Sequence, residues 1–101
     1  MAKENAQRMI DEWNIAITTR RDKRKELSGL EIEIDSVMTR IQWLMYGDNE
    51  DQVQKAKDKV RHLYKSKASI ESELADIDAD VALKDPPARE AWSYLIKEIL
   101  A

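Results

Sequence analysis

Apolar residues recur along the chain at alternating steps of three and four residues, a spacing typical of coiled coils. Because an α-helix has about 3.6 residues per turn, such positions form one stripe along one helix face. The first run predicts a helix over about residues 3–46. It consists of Leu27, Leu30, Ile34, Val37, Ile41 and Leu44.

A second run with the same rhythm follows a short polar segment and predicts a helix over about residues 49–83. Only Lys67 interrupts its apolar character. Between the runs, Gly47 is expected to end the first helix as its C′ residue, and Asp48 or Asn49 to cap the second. The run consists of Val53, Ala56, Val60, Leu63, Lys67, Ile70, Leu74, Ile77 and Val81.

The segment Asp85-Pro86-Pro87 is expected to end the second helix. Proline disfavours helical geometry in the residue before it, whereas Asp85 can cap a new helix that has Pro86 at its first position. The sequence therefore predicts a third helix over about residues 86–100. We expect it to fold back so that Trp92 lies near Leu74 or Ile77.

The short loop requires the two long helices to run antiparallel. Pairing Leu44 with Val53 places Val37 opposite Val60, and the first helix is expected to run out of partners at Trp13. The predicted fold is all-α and forms a single domain over residues 1–101. It is a long antiparallel, coiled-coil-like helical hairpin with a short third helix packed on its open end.

The composition agrees with long helices and narrows the function classes. Apolar residues make up 43% and charged residues 37%, with two Gly, two Pro and no Phe, as is common for long helices. The absence of cysteine excludes a disulfide framework and a thiolate metal site. No apolar run approaches the roughly 20 residues that span a bilayer, so we predict a cytoplasmic protein without a membrane partner.

Catalysis and metal binding are not expected. Asp76, Asp78 and Asp80 resemble the start of a calcium loop, but Val81 stands where glycine is needed. His62, the single histidine, has Lys59 rather than Glu three residues before it and falls on the outer face of the second helix. We therefore predict no enzyme activity, no cofactor, no metal and no small-molecule substrate.

The face of the first helix that points away from the seam is unusually poor in charge after Ser28. Tryptophan and tyrosine are frequent interface anchors, and small residues between them allow close approach. We call six of these residues the outer strip and predict that they bind a partner: Gly29, Ile32, Ser36, Thr39, Trp43 and Tyr46. A secondary apolar stripe beside the seam consists of Met38, Met45 and Tyr64.

A basic run, Arg20-Arg21-Asp22-Lys23-Arg24-Lys25, offers a second candidate surface. Its possible phosphate-binding residues are Arg20, Arg21, Arg24 and Lys25. A solvated, partly paired helix face explains the same pattern, and the net charge of −3 is too small to attract polyanions as a whole. Any contact with nucleic acid would have to use this run.

The sequence favours a non-catalytic protein-binding module, such as an assembly factor, an adaptor or an inhibitor of a larger complex. We expect another protein as partner, and also a homodimer. Two alternatives stay open: a nucleic-acid-associated helical protein that uses the basic run, and a self-assembling structural coiled coil.

Overall fold

A computed structural model describes residues 2–101 of the chain. These residues form two α-helices, α1 over Lys3–Leu44 and α2 over Glu50–Leu100, and no strand is present among them. The predicted all-α fold and the helical hairpin are thus confirmed. Within residues 2–101, neither helix has a segment long and apolar enough to cross a lipid bilayer.

The turn between the helices differs from the prediction in its details. Because α1 ends at Leu44, Met45 and Tyr46 belong to the turn. The carbonyl of Asn49 accepts a hydrogen bond from the Val53 amide at 2.9 Å, so Asn49 occupies the N-cap position of α2. Gly47 does not have the positive φ that usually accompanies a C′ glycine. A Cβ atom there would lie 2.8 Å from Asn49 Nδ2, the end of a flexible side chain that can move aside, so this contact alone does not require glycine.

The chain divides into two compact units. The first unit, Lys23–Glu73, contains the turn and the adjoining parts of both helices. Its core is the predicted seam, in which apolar side chains of antiparallel helices face one another. The buried residues of this core are Ile34, Val37, Ile41, Val60 and Leu63, with Leu30 and Ala56 packed against them.

The second unit comprises the described residues up to Asp22 together with Leu74–Ala101. Its best-buried residues include Ala6 and Ala91, both fully inaccessible to solvent, so the two backbones approach closely here. Ile10 and Leu95 complete this cluster, and Met9 and Tyr94 pack against it.

The predicted third helix is wrong, because α2 continues without interruption through Pro86 and Pro87. Trp92 does not fold back on Leu74 or Ile77; it lines a groove together with Ile10 and Leu95. The sequence does contain a pattern that predicts a continuous helix here. Val81, Lys84, Ala88, Ala91 and Leu95 continue the steps of three and four past the prolines.

The physical reason is that α1 does supply partners beyond Trp13. Ala6 and Ile10 cover Ala91 and Leu95, and this burial requires the last part of α2 to stay in register. The prolines cannot donate to the carbonyls of Ala82 and Leu83. Both of those residues are exposed. Water can therefore hydrogen-bond to their carbonyls and replace the two missing helix hydrogen bonds.

Replacing either proline by alanine is expected to stabilise the protein. In a helix interior proline is about 3 kcal/mol less favourable than alanine, and the smaller entropy of an unfolded chain with proline offsets about 1 kcal/mol of that difference. Pro86→Ala and Pro87→Ala should each raise the free energy of unfolding in urea denaturation followed by circular dichroism. Lower stability of Pro86→Ala would contradict the continuous helix, because proline is favoured at the first position of a separate one.

Candidate protein-binding surface

All six residues of the outer strip are exposed on one side of the unit Lys23–Glu73. The large apolar members stand out, since the exposed fractions are 69% for Ile32, 75% for Trp43 and 89% for Tyr46. Isolated apolar residues on a surface need no explanation, but three at one side of a short unit form a candidate interface.

Trp43 and Tyr46 form a small aromatic group beside the turn. Their ring centroids are 6.5 Å apart and the planes are inclined by 58°, within the range of favourable aromatic pairs. The Tyr46 amide donates to the Trp43 carbonyl at 3.3 Å, which fixes the backbone that links the two rings. The prediction placed Tyr46 on the helix; it lies two residues beyond the end of α1.

The outer strip also contains three small residues, Gly29, Ser36 and Thr39. Thr39 Oγ1 donates a hydrogen bond to the Asp35 carbonyl at 2.9 Å, so this hydroxyl is already satisfied by its own helix. A Cβ atom added to Gly29 would meet nothing within 4 Å. Packing within the chain therefore does not require glycine at this position.

The secondary apolar stripe is also exposed, at Met38, Met45 and Tyr64. The ammonium of Lys67 lies 5.9 Å from the centroid of the Tyr64 ring, near the limit of a cation–π contact. Lys67 Nζ is also 3.8 Å from a carboxylate oxygen of Glu31 and of Glu71. Charged side chains thus border the secondary apolar stripe, whereas none of the six residues of the outer strip is charged.

The residues of the basic run contact different partners. Within its own unit, Arg20 is directed towards α2, with its Nη1 atom 3.8 Å from Asp78 Oδ1. Arg21 Nε lies 3.7 Å from the adjacent Asp22 carboxylate, and Arg24 also has an interaction partner within the chain. Lys25 is exposed. The four residues do not present a single set of unpaired cations.

Lys23 belongs to the basic run and was not predicted as a site residue, but it is paired with two carboxylates. Its Nζ atom lies 2.7 Å from Glu73 and 3.4 Å from Glu26. The hydrogen bond to Glu73, assisted by the charges of both carboxylates, raises the pKa of the Lys23 ammonium above its ordinary value. A signal was present, because Lys23 stands at a seam position of the predicted register and therefore faces the other helix.

The described residues contain no cluster of metal-binding side chains. Among residues 2–101 there is no group of three or more His, Asp or Glu side chains placed to hold a metal ion. His62 is exposed on α2. The described surface does expose apolar area on the outer strip, to which another macromolecule can bind.

Gly29→Ala is expected to raise the free energy of unfolding by about 0.5–1 kcal/mol, because glycine within a helix costs that much relative to alanine. The open space around Gly29 means that no clash offsets the gain. Urea denaturation at low protein concentration measures it. A loss of stability would show that Gly29 has a role within the folded chain.

Lys23→Gln should lower the melting temperature at neutral pH, because it removes the charged hydrogen bond to Glu73. Since the folded-state pKa of Lys23 is raised, the contribution is complete below about pH 10.4, the ordinary lysine pKa. It is lost as the pH rises through the folded-state value. Melting curves between pH 7 and 12 should therefore converge for wild type and variant. Lys65→Gln, at an exposed lysine of α2, is the control and should show no such convergence.

Comparison with known proteins yields no relative for this chain. No family model matches it, nor does any curated protein or solved structure. A functional assignment therefore has to be argued from the geometry and chemistry of the residues themselves.

Proposed function

We propose that this chain is a non-catalytic protein-binding module that acts through the outer strip. It would serve as an assembly factor, an adaptor or an inhibitor of a larger complex, with a protein surface as its ligand. A cytoplasmic location, compatible with the absence of cysteine, is part of the proposal. The observation that carries it is the exposure of Ile32, Trp43 and Tyr46 on one side of a single unit.

A partner that covers the outer strip would remove a large apolar area from water. A buried aromatic side chain covers about 150–250 Å², and apolar burial contributes roughly 25 cal/mol per Å². Covering Ile32, Trp43 and Tyr46 would therefore contribute several kcal/mol to association. Within the described chain these side chains have no core to enter, because each helix buries only its seam.

The composition of the outer strip also favours a protein ligand. Aromatic anchors surrounded by small residues are typical of protein interfaces, where a few side chains supply most of the binding energy. Gly29 and Ser36 would let a partner backbone approach α1 closely. No carboxylate or ammonium group belongs to the strip, so a charged small molecule would find no counter-charge on it.

The nucleic-acid alternative has weaker support. Phosphate binding needs cations that are free to exchange counterions, whereas Arg20 and Lys23 already contact carboxylates of α2. Arg21, Arg24 and Lys25 are exposed, but Arg21 lies beside the Asp22 carboxylate and Arg24 has an interaction partner within the chain. A self-assembling coiled coil would use the same outer strip, but its partner would be another copy of this chain and not a foreign protein.

An affinity capture from the source organism tests the proposal. Wild-type protein should retain a defined partner protein after nuclease treatment, and Trp43→Ala should lose most of it by removing an anchor. Ile32→Arg should have the same effect, because it would bury an unpaired charge in the interface. Both variants change exposed side chains, so their helical content and melting temperature should remain close to wild type.

Ile15→Arg is the matched control for Ile32→Arg. Ile15 also lies on α1 and is 67% exposed, but it stands outside the outer strip. This variant should capture the partner as wild type does. Equal capture by wild type, Trp43→Ala and Ile32→Arg would refute the assignment of the outer strip, and capture that disappears with nuclease would favour the nucleic-acid alternative.

A further inference from the structure

The outer strip is complementary to itself when two copies run in opposite directions. We propose that its partner is a second copy of this chain, with two α1 helices packed antiparallel about a two-fold axis. This inference rests on the proposed function, because it names the occupant of the same surface. The strip has the three- and four-residue steps of a helix–helix seam, so it can pack as the intramolecular seam does.

The centre of the pairing joins residues of matching size. In an antiparallel pair, placing Ser36 opposite Thr39 of the other copy also places Ile32 opposite Trp43. The two-fold axis repeats both contacts, as in every isologous interface. Small polar residues then meet at the axis, and an apolar pair lies on each side of it. All four side chains are exposed in the single chain.

Farther from the two-fold axis, the smallest residue of the outer strip lies near its most exposed residue. Gly29 falls beside the turn of the other copy, near Tyr46, whose ring packs on that of Trp43. Nothing occupies the space beside Gly29 within 4 Å of a Cβ position, and Tyr46 is 89% exposed. The pairing thus supplies a reason for a helical glycine that packing within the chain does not require.

The ends of the pairing join opposite charges. Lys25 lies one step before Gly29 on the same face, and it falls beyond the end of the other copy's α1, beside the turn that precedes Glu50. Asp48 and Asp51 make this turn strongly acidic. The arrangement gives a function to the exposed lysine of the basic run and contributes electrostatic complementarity at both ends of the interface.

A parallel arrangement of the two copies lacks these features. It would place Lys25 against Lys25 and one acidic turn against the other, which are repulsive contacts between like charges. It would also place Gly29 against Gly29, leaving a gap, while Trp43 met Trp43. Charge and size therefore both select the antiparallel pairing.

One contact of the antiparallel pairing is unfavourable. Asp35 flanks the outer strip near the two-fold axis, so its carboxylate approaches that of its own copy. Asp35→Asn should consequently strengthen the dimer, which is the opposite of what the other substitutions do. Weaker association of Asp35→Asn would contradict the proposed register.

Light scattering after size-exclusion chromatography, run as a concentration series, tests dimer formation. The mass of wild type should approach twice the 11.7 kDa of one chain. Ser36→Arg places two arginines beside the axis and should give the mass of a single chain at the concentrations where wild type is dimeric. Ile15→Arg should dimerise as wild type does. A monomeric wild type at the highest soluble concentration would overturn the proposal.

Disulfide trapping tests the register, and the absence of native cysteine makes it selective. Mixing Ser36→Cys chains with Thr39→Cys chains under mild oxidation should produce mainly the mixed disulfide, because facing Cα atoms can come within the roughly 4.4–6.8 Å that a disulfide needs. A mixture of Gly29→Cys and Thr39→Cys is the control. It is displaced by one heptad and should cross-link poorly, and efficient cross-linking of this control would overturn the register.

A charge exchange tests the ends of the pairing. Lys25→Glu should raise the dimer dissociation constant by about threefold to tenfold, as expected for two reversed rim pairs. Adding Glu50→Lys should restore dimerisation, whereas Glu50→Lys alone should weaken it. If the double variant is weaker than both single variants, Lys25 does not lie beside the acidic turn of the other copy.

The two proposals fail in different ways. A monomeric wild type that still captures a foreign protein through Trp43 would overturn the inference and leave the proposed function standing. A monomeric wild type with no capture that depends on Trp43 would overturn both. A dimer that survives Ser36→Arg and Trp43→Ala would place self-association elsewhere and overturn the inference.

Discussion

The rest of the structure depends on one constraint: a helix with a single neighbour can bury only one stripe of side chains. In the unit Lys23–Glu73 that stripe is the seam, and the intermediate steps of α1 face solvent. Trp43 and Ile32 are exposed for this reason. A third helix over this face would have buried them. In a two-helix unit, any second apolar stripe is available for association.

The same constraint explains how charge is used. A two-helix seam is narrow, so long side chains at its positions can reach carboxylates at either edge. Lys23 and Lys67 both do so, each with partners on the same helix and on the other one. Cations that appear in the sequence as a basic cluster are thereby used within the hairpin. Lys25, on the outward face, keeps its charge available to a partner.

Small residues have different roles in the two units. Ala6 and Ala91 are fully buried and allow the two helices to approach closely, so they stabilise the fold directly. Gly29 is exposed, costs helix stability and touches nothing that a methyl group would disturb. The partner that we propose for the outer strip would pack against this open surface.

The sequence by itself determined the hairpin, the turn near Gly47 and the outward position of the strip, because helix periodicity is a local property that residue spacing expresses directly. It did not determine the end of α2. The proline rule is a local preference, and the burial of Ala91 and Leu95 against the start of α1 outweighs it. Nor could it show which cations are paired, or that Gly29 stands in open space. Those features depend on distances between residues far apart in the chain, and only the tertiary structure decided them.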